Sequence, residues 1–223
     1  MALSTYAELK TTIANWLNRS DLTSEIAEDF IVLAEADFNS KLRIRQMHSQ
    51  TTITIDAETE STPTGFLQVR DFYILSNNDK YALNYLSPPQ MDSIKGTSMS
   101  GLPVAYTILG STFRFTPRPA DSYSGILNFY KKFDALSVSN PSNYILTDHP
   151  AIYLYGSLFH ASNFLGGIDP NQSQQWSQMY QTALERAELN DREDQFSGSP
   201  LQIRSDVTVS SPFNRRFVTT VSE

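Results

Sequence analysis

The sequence predicts an α+β fold, an antiparallel α-helical bundle of N- and C-terminal helix pairs with an inserted antiparallel β domain and an extended C-terminal arm. Apolar residues recur at helical spacing near both ends of the chain, whereas in the middle apolar and polar residues alternate with a period of two. Each helix pair must bury its apolar stripes, so the two pairs are expected to pack together. The predicted boundaries are 1–46 for the first helix pair, 47–142 for the β domain, 143–195 for the second helix pair and 196–223 for the arm.

The first helix pair is indicated by its start signals and apolar stripes. Thr5 and Glu8 have the spacing of a capping box, and Thr23 is placed to cap the second helix. The residues expected on the buried faces are Leu9, Ile13, Trp16 and Leu17 in the first helix, and Ile26, Ala27, Phe30, Leu33, Ala34, Phe38 and Leu42 in the second.

The outer face of the second helix changes from acidic to basic along its length. Asp37 is followed by basic residues at positions 41, 43 and 45, an order that matches the helix dipole. A solvated face matched to the dipole is the favoured interpretation. A basic patch for a partner is the alternative.

The third predicted helix is apolar on almost every side over residues 151–165, which is typical of a buried helix. Thr147 and Asp148 are candidate N-caps, and Pro150 fits the first helical position because its missing N–H costs nothing there. The two glycines at 166–167 are expected to end this helix.

The fourth predicted helix is amphipathic and begins with Asp169 as the N-cap and Pro170 as the first residue. Its buried face is expected to contain Trp176, Met179, Tyr180, Ala183, Leu184 and Ala187. The aromatic residues exceed what one small bundle can bury, which indicates a subunit interface. The aromatic residues expected in the bundle or at that interface are Trp16, Phe30, Tyr153, Phe159, Trp176 and Tyr180.

The central region has the short alternating runs and turn residues of an antiparallel sheet. Residues 56–65 are expected to form a loop, and residues 77–79 to turn a hairpin. A short helix is predicted for residues 88–94. The predicted strands are 52–55, 66–75, 81–86, 104–109, 112–116 and 123–133.

Composition excludes several functional classes. The chain has no cysteine, which excludes disulfides and thiolate metal sites. No apolar run approaches the roughly 18 residues of a membrane span, and the N-terminus lacks a signal-peptide pattern, so no membrane association is expected. The net charge of −7 argues against a protein that binds nucleic acid through phosphate contacts.

No catalytic, cofactor or metal site is predicted. His48, His149 and His160 lack metal-ligand spacing, and His160 is expected to be a core histidine with satisfied hydrogen bonds. The carboxylate pairs 28–29 and 193–194 lie on polar helix faces, where solvation is the default interpretation. The hydrolase elbow and the glycine-rich phosphate-binding patterns are absent from the sequence.

Residues 196–223 are rich in Ser and Thr and show no helical period. Residues 203–209 could form a strand, and Phe213 and Phe217 are apolar without a core of their own. A tail of this kind is expected to stay disordered until a partner orders it.

Several segments together resemble a known family. GFLQVRDFYIL at 65–75 matches its first β segment, and the opening helix pair at 5–47 is similar as well. The most specific stretch, 101–166, contains a Pro-x-x-Tyr strand, an aromatic strand ending in Pro, a Tyr-Lys-Lys strand, and Leu-Thr-Asp-His-Pro before Tyr-Leu-Tyr-Gly. The chain resembles the head–tail adaptor proteins of short-tailed phages, the class that includes tail tubular protein A, over nearly its whole length.

The resemblance implies a structural virion protein of the tail or neck, assembled in the host cytoplasm, without enzymatic activity or cofactor. Such adaptors form a ring, commonly of twelve subunits, beneath the portal protein, and carry the tail nozzle or tubular protein and the tail fibre proteins. The helices would form the ring wall, and the β domain would face the tail. Genomic DNA would pass through the lumen without specific binding.

The arm is expected to bind the portal or a neighbouring adaptor by β-augmentation or through apolar anchors. The arm residues expected to make these contacts are Ile203, Arg204, Val207, Val209, Phe213, Arg215, Arg216 and Phe217.

Two other functions remain as alternatives. A β-rich tail module could bind host glycan, with Tyr106, Phe113 and Phe115 exposed rather than in a core. A virion enzyme that degrades cell-wall glycan would need two carboxylates about 5–10 Å apart across a groove.

Overall fold

The computed structural model describes residues 3–76, 79–94, 100–165 and 168–196, and it has the predicted mixed α+β class with antiparallel sheets. The helices are α1 (Tyr6–Leu17), α2 (Thr23–Glu25), a π-helical turn (Ile26–Phe30), α3 (Ile31–Lys41), a 3₁₀ turn (Arg45–Met47), α4 (Pro88–Ile94), α5 (Tyr144–Asp148), α6 (Pro150–Leu165) and α7 (Pro170–Phe196). The strands are β1 (His48–Ile55), β2 (Thr59–Ser61), β3 (Phe66–Ser76), β4 (Asp79–Ala82), β5 (Asn84–Tyr85), β6 (Ser100–Gly101), β7 (Ala105–Leu109), β8 (Thr112–Thr116), β9 (Arg118–Pro119) and β10 (Tyr123–Lys131).

The start of α1 has the predicted capping box. The Thr5 hydroxyl accepts a bond from the Glu8 N–H, and the Glu8 carboxylate accepts one from the Thr5 N–H. The predicted cap at Thr23 is wrong, because Thr23 is already the first residue of α2 and Leu22 precedes it without a side-chain cap.

The predicted N-caps Thr147 and Asp148 are also wrong. The chain makes an additional helical turn, α5, so both residues lie inside it, and its N-cap is Asn143, whose side chain accepts the Leu146 N–H at 3.0 Å. Helix α6 begins at Pro150 as predicted.

Helix α7 begins at Pro170, also as predicted, and the Asp169 side chain accepts the Asn171 N–H at 2.9 Å. The predicted glycine stop at 166–167 lies outside the described residues.

The π-helical turn explains why Leu33 is exposed rather than buried. The Ile31 N–H bonds to the Ile26 carbonyl, five residues back, so this turn contains one more residue than an α-helical turn. The buried face therefore continues through Ile31 and Ala34, and Leu33 is left 49% exposed. An uninterrupted period of 3.6 residues, as assumed from the sequence, places Leu33 on the wrong side.

Helices from both ends of the chain share one apolar core. Helix α6 contacts α1, α3, α5 and α7, and its side chains are buried on most of its circumference. Buried residues of this core include Leu9, Ile13, Phe30, Phe38, Leu146, Tyr153, Leu158, Trp176, Tyr180 and Leu184. Trp16, Phe164 and Met179 differ from the prediction of a buried position, since they are 48%, 59% and 44% exposed.

The strands form two four-stranded sheets, in the orders β1-β10-β3-β4 and β2-β8-β7-β5, and a two-stranded pair β6-β9. The pairs β1–β10, β10–β3, β3–β4, β2–β8 and β7–β8 are antiparallel, whereas β5–β7 and β6–β9 are parallel. Two details differ from the prediction. The expected loop 56–65 contains β2, and the expected strand 81–86 is divided into β4 and β5 at Leu83, which is buried.

The two larger sheets share a second core. Buried residues alternate with more exposed ones along β8 and most of β10, as expected of a sheet with one covered face, whereas the first three residues of β7 are all buried. The buried members are Ile55, Phe72, Ile74, Leu83, Tyr106, Phe113, Phe115, Leu127 and Phe129. The region between the helix pairs therefore has an apolar interior of its own.

Gly156 lies where three helices of the first core approach most closely. A Cβ atom at this position would lie 3.1 Å from Tyr180 Cε2 on α7 and 3.2 Å from Ala34 Cβ on α3. Since neither neighbour is the end of a flexible side chain, a larger residue must push the helices apart.

We expect Gly156→Val to lower the free energy of unfolding by about 1–3 kcal/mol, because overpacking displaces α3 or α7. Urea denaturation followed by circular dichroism measures this change. Ala151→Val is the matched control, since Ala151 lies in the same helix and lines an open groove. Equal losses for the two variants would contradict the importance of this helix contact.

Candidate subunit-interaction surfaces

The structure divides the six aromatic residues predicted for the bundle or an interface into two groups. Phe30, Tyr153, Trp176 and Tyr180 are buried in the helical core and are not available to a partner. Phe159 is half-buried, and Trp16 is 48% exposed. The eight arm residues from Ile203 to Phe217 lie outside the described residues.

Trp16 borders an apolar groove. Its ring meets the edge of Tyr155 on α6 at a centroid distance of 6.0 Å. Next to Tyr155, a groove of about 420 Å³ runs along α6 and α7 and is lined by Met179 and Ala183 among others. Arg186 lies at its polar end with Asp148, His149 and Asn190. We call this surface the α6–α7 groove.

A second exposed apolar surface lies on the outer face of α3. Val32 and Leu33 are 50% and 49% exposed, and Glu28 and Asp29 are exposed one turn earlier. We call these four residues the α3 ridge. Adjacent exposed apolar side chains such as Val32 and Leu33 make this face a candidate for contact with another protein.

The basic residues at the end of the second helix form bonds within the chain. Arg45 forms ion pairs with Asp191 and Asp194 of α7 at 3.1 and 3.0 Å. Lys41 pairs with Asp37 at 2.8 Å, and Arg43 donates to the backbone carbonyls of residues 39 and 42. Arg45 therefore connects this segment to α7, while Lys41 and Arg43 bond to groups of α3 and its C-terminal end, which does not favour the alternative of a basic patch for a partner.

A buried polar cluster joins α3 to the loop that leaves β10. The Glu35 carboxylate, 7% exposed, accepts the Leu136 N–H at 2.7 Å and the Tyr153 hydroxyl at 2.9 Å. Asn143 donates to the same hydroxyl at 2.6 Å. One turn along α3, Asn39 accepts the Phe133 N–H at 2.9 Å. These hydrogen bonds hold the segment that follows β10 against α3 of the helical core.

The sequence analysis did not identify this cluster. Its signal was a carboxylate at position 35 and an amide at 39, both on the apolar face that contains Ala34 and Phe38. A carboxylate on a buried helix face needs hydrogen-bond donors, and here they come from a loop 101 residues away in sequence and from α6, 118 residues away.

Burial raises the pKa of Glu35, and the bonds from the Leu136 N–H and the Tyr153 hydroxyl only partly oppose this effect. The pKa of the Tyr153 phenol is also raised, first by burial and then by the neighbouring Glu35 carboxylate. Both groups therefore favour their neutral forms more strongly than in water.

The prediction that His160 is a satisfied core histidine is wrong. His160 is half-buried, and its buried Nε2 atom has no hydrogen-bond partner among the described residues. Burial lowers its pKa, which keeps the ring neutral and removes the cost of an unpaired buried cation. No group of three or more His, Cys, Asp or Glu side chains suited to a metal ion occurs in the described part of the chain.

The carboxylate pair Glu193 and Asp194 lines an open depression of about 440 Å³ with Asp148. The Asp194 side chain is 63% exposed and pairs with Arg45. This solvated arrangement agrees with the interpretation of a polar helix face.

We expect Glu35→Gln to change how stability depends on pH. The folded-state pKa of Glu35 is raised, so its contribution is fully present below about pH 4.5, the ordinary pKa, and is lost as the pH rises through the raised value. The Gln side chain keeps the acceptor oxygen without this loss. The variant should gain about 1.4 kcal/mol relative to the native chain for each unit by which the pKa is raised.

Urea unfolding at about pH 5 and about pH 8 measures the effect of the Glu35 titration. Glu185→Gln, at an exposed position of α7, is the control and should follow the native chain. A constant difference between Glu35→Gln and the native chain at both pH values would show that Glu35 does not titrate as described.

Among the described residues, the structure has no helix with the length and apolar character needed to cross a membrane. A search of curated proteins finds no significant match to this chain. The family model described as SU10 adaptor protein matches residues 4–204, which include both helix pairs and all the strands. The chain therefore belongs to the SU10 adaptor protein family.

Proposed function

We propose that this protein is a structural head–tail adaptor of a phage virion, similar to tail tubular protein A of short-tailed phages. Twelve copies form a ring beneath the portal protein, extend the DNA channel and provide the platform for the tail nozzle and fibre proteins. The family match over residues 4–204 is the observation that carries this proposal. The protein would be assembled in the host cytoplasm and belong to the tail or neck of the virion.

The helical bundle and the β region have separate apolar cores, which supports different roles for these two parts of the subunit. In this proposal the antiparallel helical bundle, built from both chain ends, forms the ring wall. The β region has its own apolar interior, so it can project as an inserted domain towards the tail without exposing a core.

The charge of the chain suits a DNA channel. Each subunit carries a net charge of −7, so twelve copies carry 12 × −7 = −84. An acidic ring repels phosphates, which lets the genome move through the lumen without specific binding.

The two alternatives receive less support. Tyr106, Phe113 and Phe115, which a glycan-binding module would expose, are 5%, 0% and 2% exposed and belong to the sheet core. A glycan site built from these three residues is therefore excluded. A cell-wall-degrading enzyme would need a pair of carboxylates in a groove, and Glu193 and Asp194 lie on a solvated face instead.

We expect electron microscopy of this protein mixed with the portal protein of its phage to show a ring of twelve copies beneath the portal. The tail-side face of the ring should project the β region. A different ring position, or particles with no added density below the portal, would contradict the proposed function.

The C-terminal arm is proposed to contact the portal or a neighbouring adaptor. Among residues 3–196, as far as the structure describes them, the buried members of the two cores end at Ala187, so the last turns of α7 before the arm contribute no buried core residue. The arm carries three arginines and two acids, which gives it a charge of +1 on an acidic protein. Because the arm is positively charged and the whole chain is negatively charged, we propose that the arm binds an acidic surface of another chain.

We expect deletion of residues 197–223, which leaves α7 intact, to give a folded subunit that does not join the portal. Circular dichroism and thermal unfolding check the fold, and co-sedimentation with the portal checks binding. The double variant Phe213→Ala/Phe217→Ala should weaken binding at least about tenfold, because aromatic anchors dominate such interfaces. Normal assembly of the truncated chain would exclude the arm from this role.

A further inference from the structure

We propose that the α3 ridge of one subunit docks in the α6–α7 groove of the next, so that adjacent copies of this chain contact each other head to tail. This inference rests on the proposed ring and assigns its subunit interface to particular residues. The occupant of the groove is thus a second copy of the chain.

The two surfaces face opposite directions. Tyr153 and Tyr155 are two residues apart on α6, so they point about 200° apart around its axis. Tyr153 contacts Phe38 of α3 at 5.1 Å between ring centroids, whereas Tyr155 lines the groove. Helix α3 therefore packs on the side of α6 away from the groove.

The α3 ridge lies on the part of α3 that does not face α6. Ala34 points towards α6, where it lies against the Gly156 position, and Val32 lies two residues before it on the opposite face of α3. A protein with two different complementary surfaces on opposite sides associates heterologously, and the contact closes into a ring when the rotation between copies allows it.

The polar residues of the two surfaces are complementary in charge. No ion pair within the described part of the chain involves Glu28, Asp29 or Arg186. Two carboxylates without ion-pair partners therefore lie on the ridge, and the groove contains Arg186, also without an ion-pair partner, together with the carboxylate of Asp148.

The spacing of apolar and charged groups also agrees between the two surfaces. Asp29 lies one helical turn from Leu33 on the ridge, and Arg186 lies one turn from Ala183 in the groove. A single docking position can therefore place Leu33 near Met179 and Ala183 while the carboxylates approach Arg186. The two ridge carboxylates would repel those of a second ridge, which favours contact between ridge and groove over contact between two ridges.

The absence of cysteine makes the interface directly testable by cross-linking. Leu33→Cys and Met179→Cys alter side chains that are about half exposed, so the fold should tolerate them. The two variants are mixed in equal amounts with the portal protein, treated with a short bis-maleimide and separated by denaturing electrophoresis. We expect at least about tenfold more covalent dimer in the mixture than with either variant alone, because a formed interface raises the effective thiol concentration.

Three controls separate the outcomes. Val138→Cys, at an 88% exposed position, should give no dimer with Met179→Cys. Dimers of Leu33→Cys with itself would show a symmetric contact and overturn the proposal. Efficient cross-linking of Met179→Cys to Phe213→Cys, in place of Leu33→Cys, would assign the groove to the arm and also overturn it.

Electron microscopy of the same samples distinguishes this inference from the proposed function. Rings beneath the portal without the Leu33–Met179 cross-link would overturn the interface and leave the adaptor function in place. Samples without rings and without cross-links would overturn both. Rings that carry the cross-link support both.

Discussion

The fold depends on the close packing of helix α6 against its neighbours. Its residues are apolar around most of the circumference, and an isolated helix of this kind would expose a large apolar area to water. Helices from both ends of the chain cover it, and Gly156 lets α3 and α7 approach without a side chain between them. Since both ends of the chain are needed to cover α6, the region between them is held as a closed loop.

The buried polar cluster around Glu35 complements this apolar packing. Apolar contacts are not directional, so they fix which faces meet more strongly than they fix the register between them. The bonds from the Leu136 N–H and the Tyr153 hydroxyl to one carboxylate define a single relative position of α3, α6 and the loop after β10. The two hydrogen bonds offset only part of the cost of burying the carboxylate, and this is why the pKa of Glu35 is raised.

The types of helix and strand were more predictable from the sequence than the residues at which they end and the side chains that they bury. The capping box at Thr5 and the proline starts of α6 and α7 were correct, because these signals act within one helical turn. Leu33 and His160 were placed wrongly, since their environment depends on the π-helical turn and on tertiary contacts that no local pattern contains. The exposed surfaces were not predictable from the same patterns, as an amphipathic period does not distinguish a core face from a face that a partner covers.

The π-helical turn at Ile26–Phe30 has a consequence for how this helix can vary. It adds one residue between the ends of a continuous helix, which rotates everything beyond it by about 100° relative to an uninterrupted α-helix. Removal of a single residue within this turn would restore regular helical bonding and bring Leu33 round towards the interior. A change of one residue in length can therefore select which side chains the helix presents to the outside.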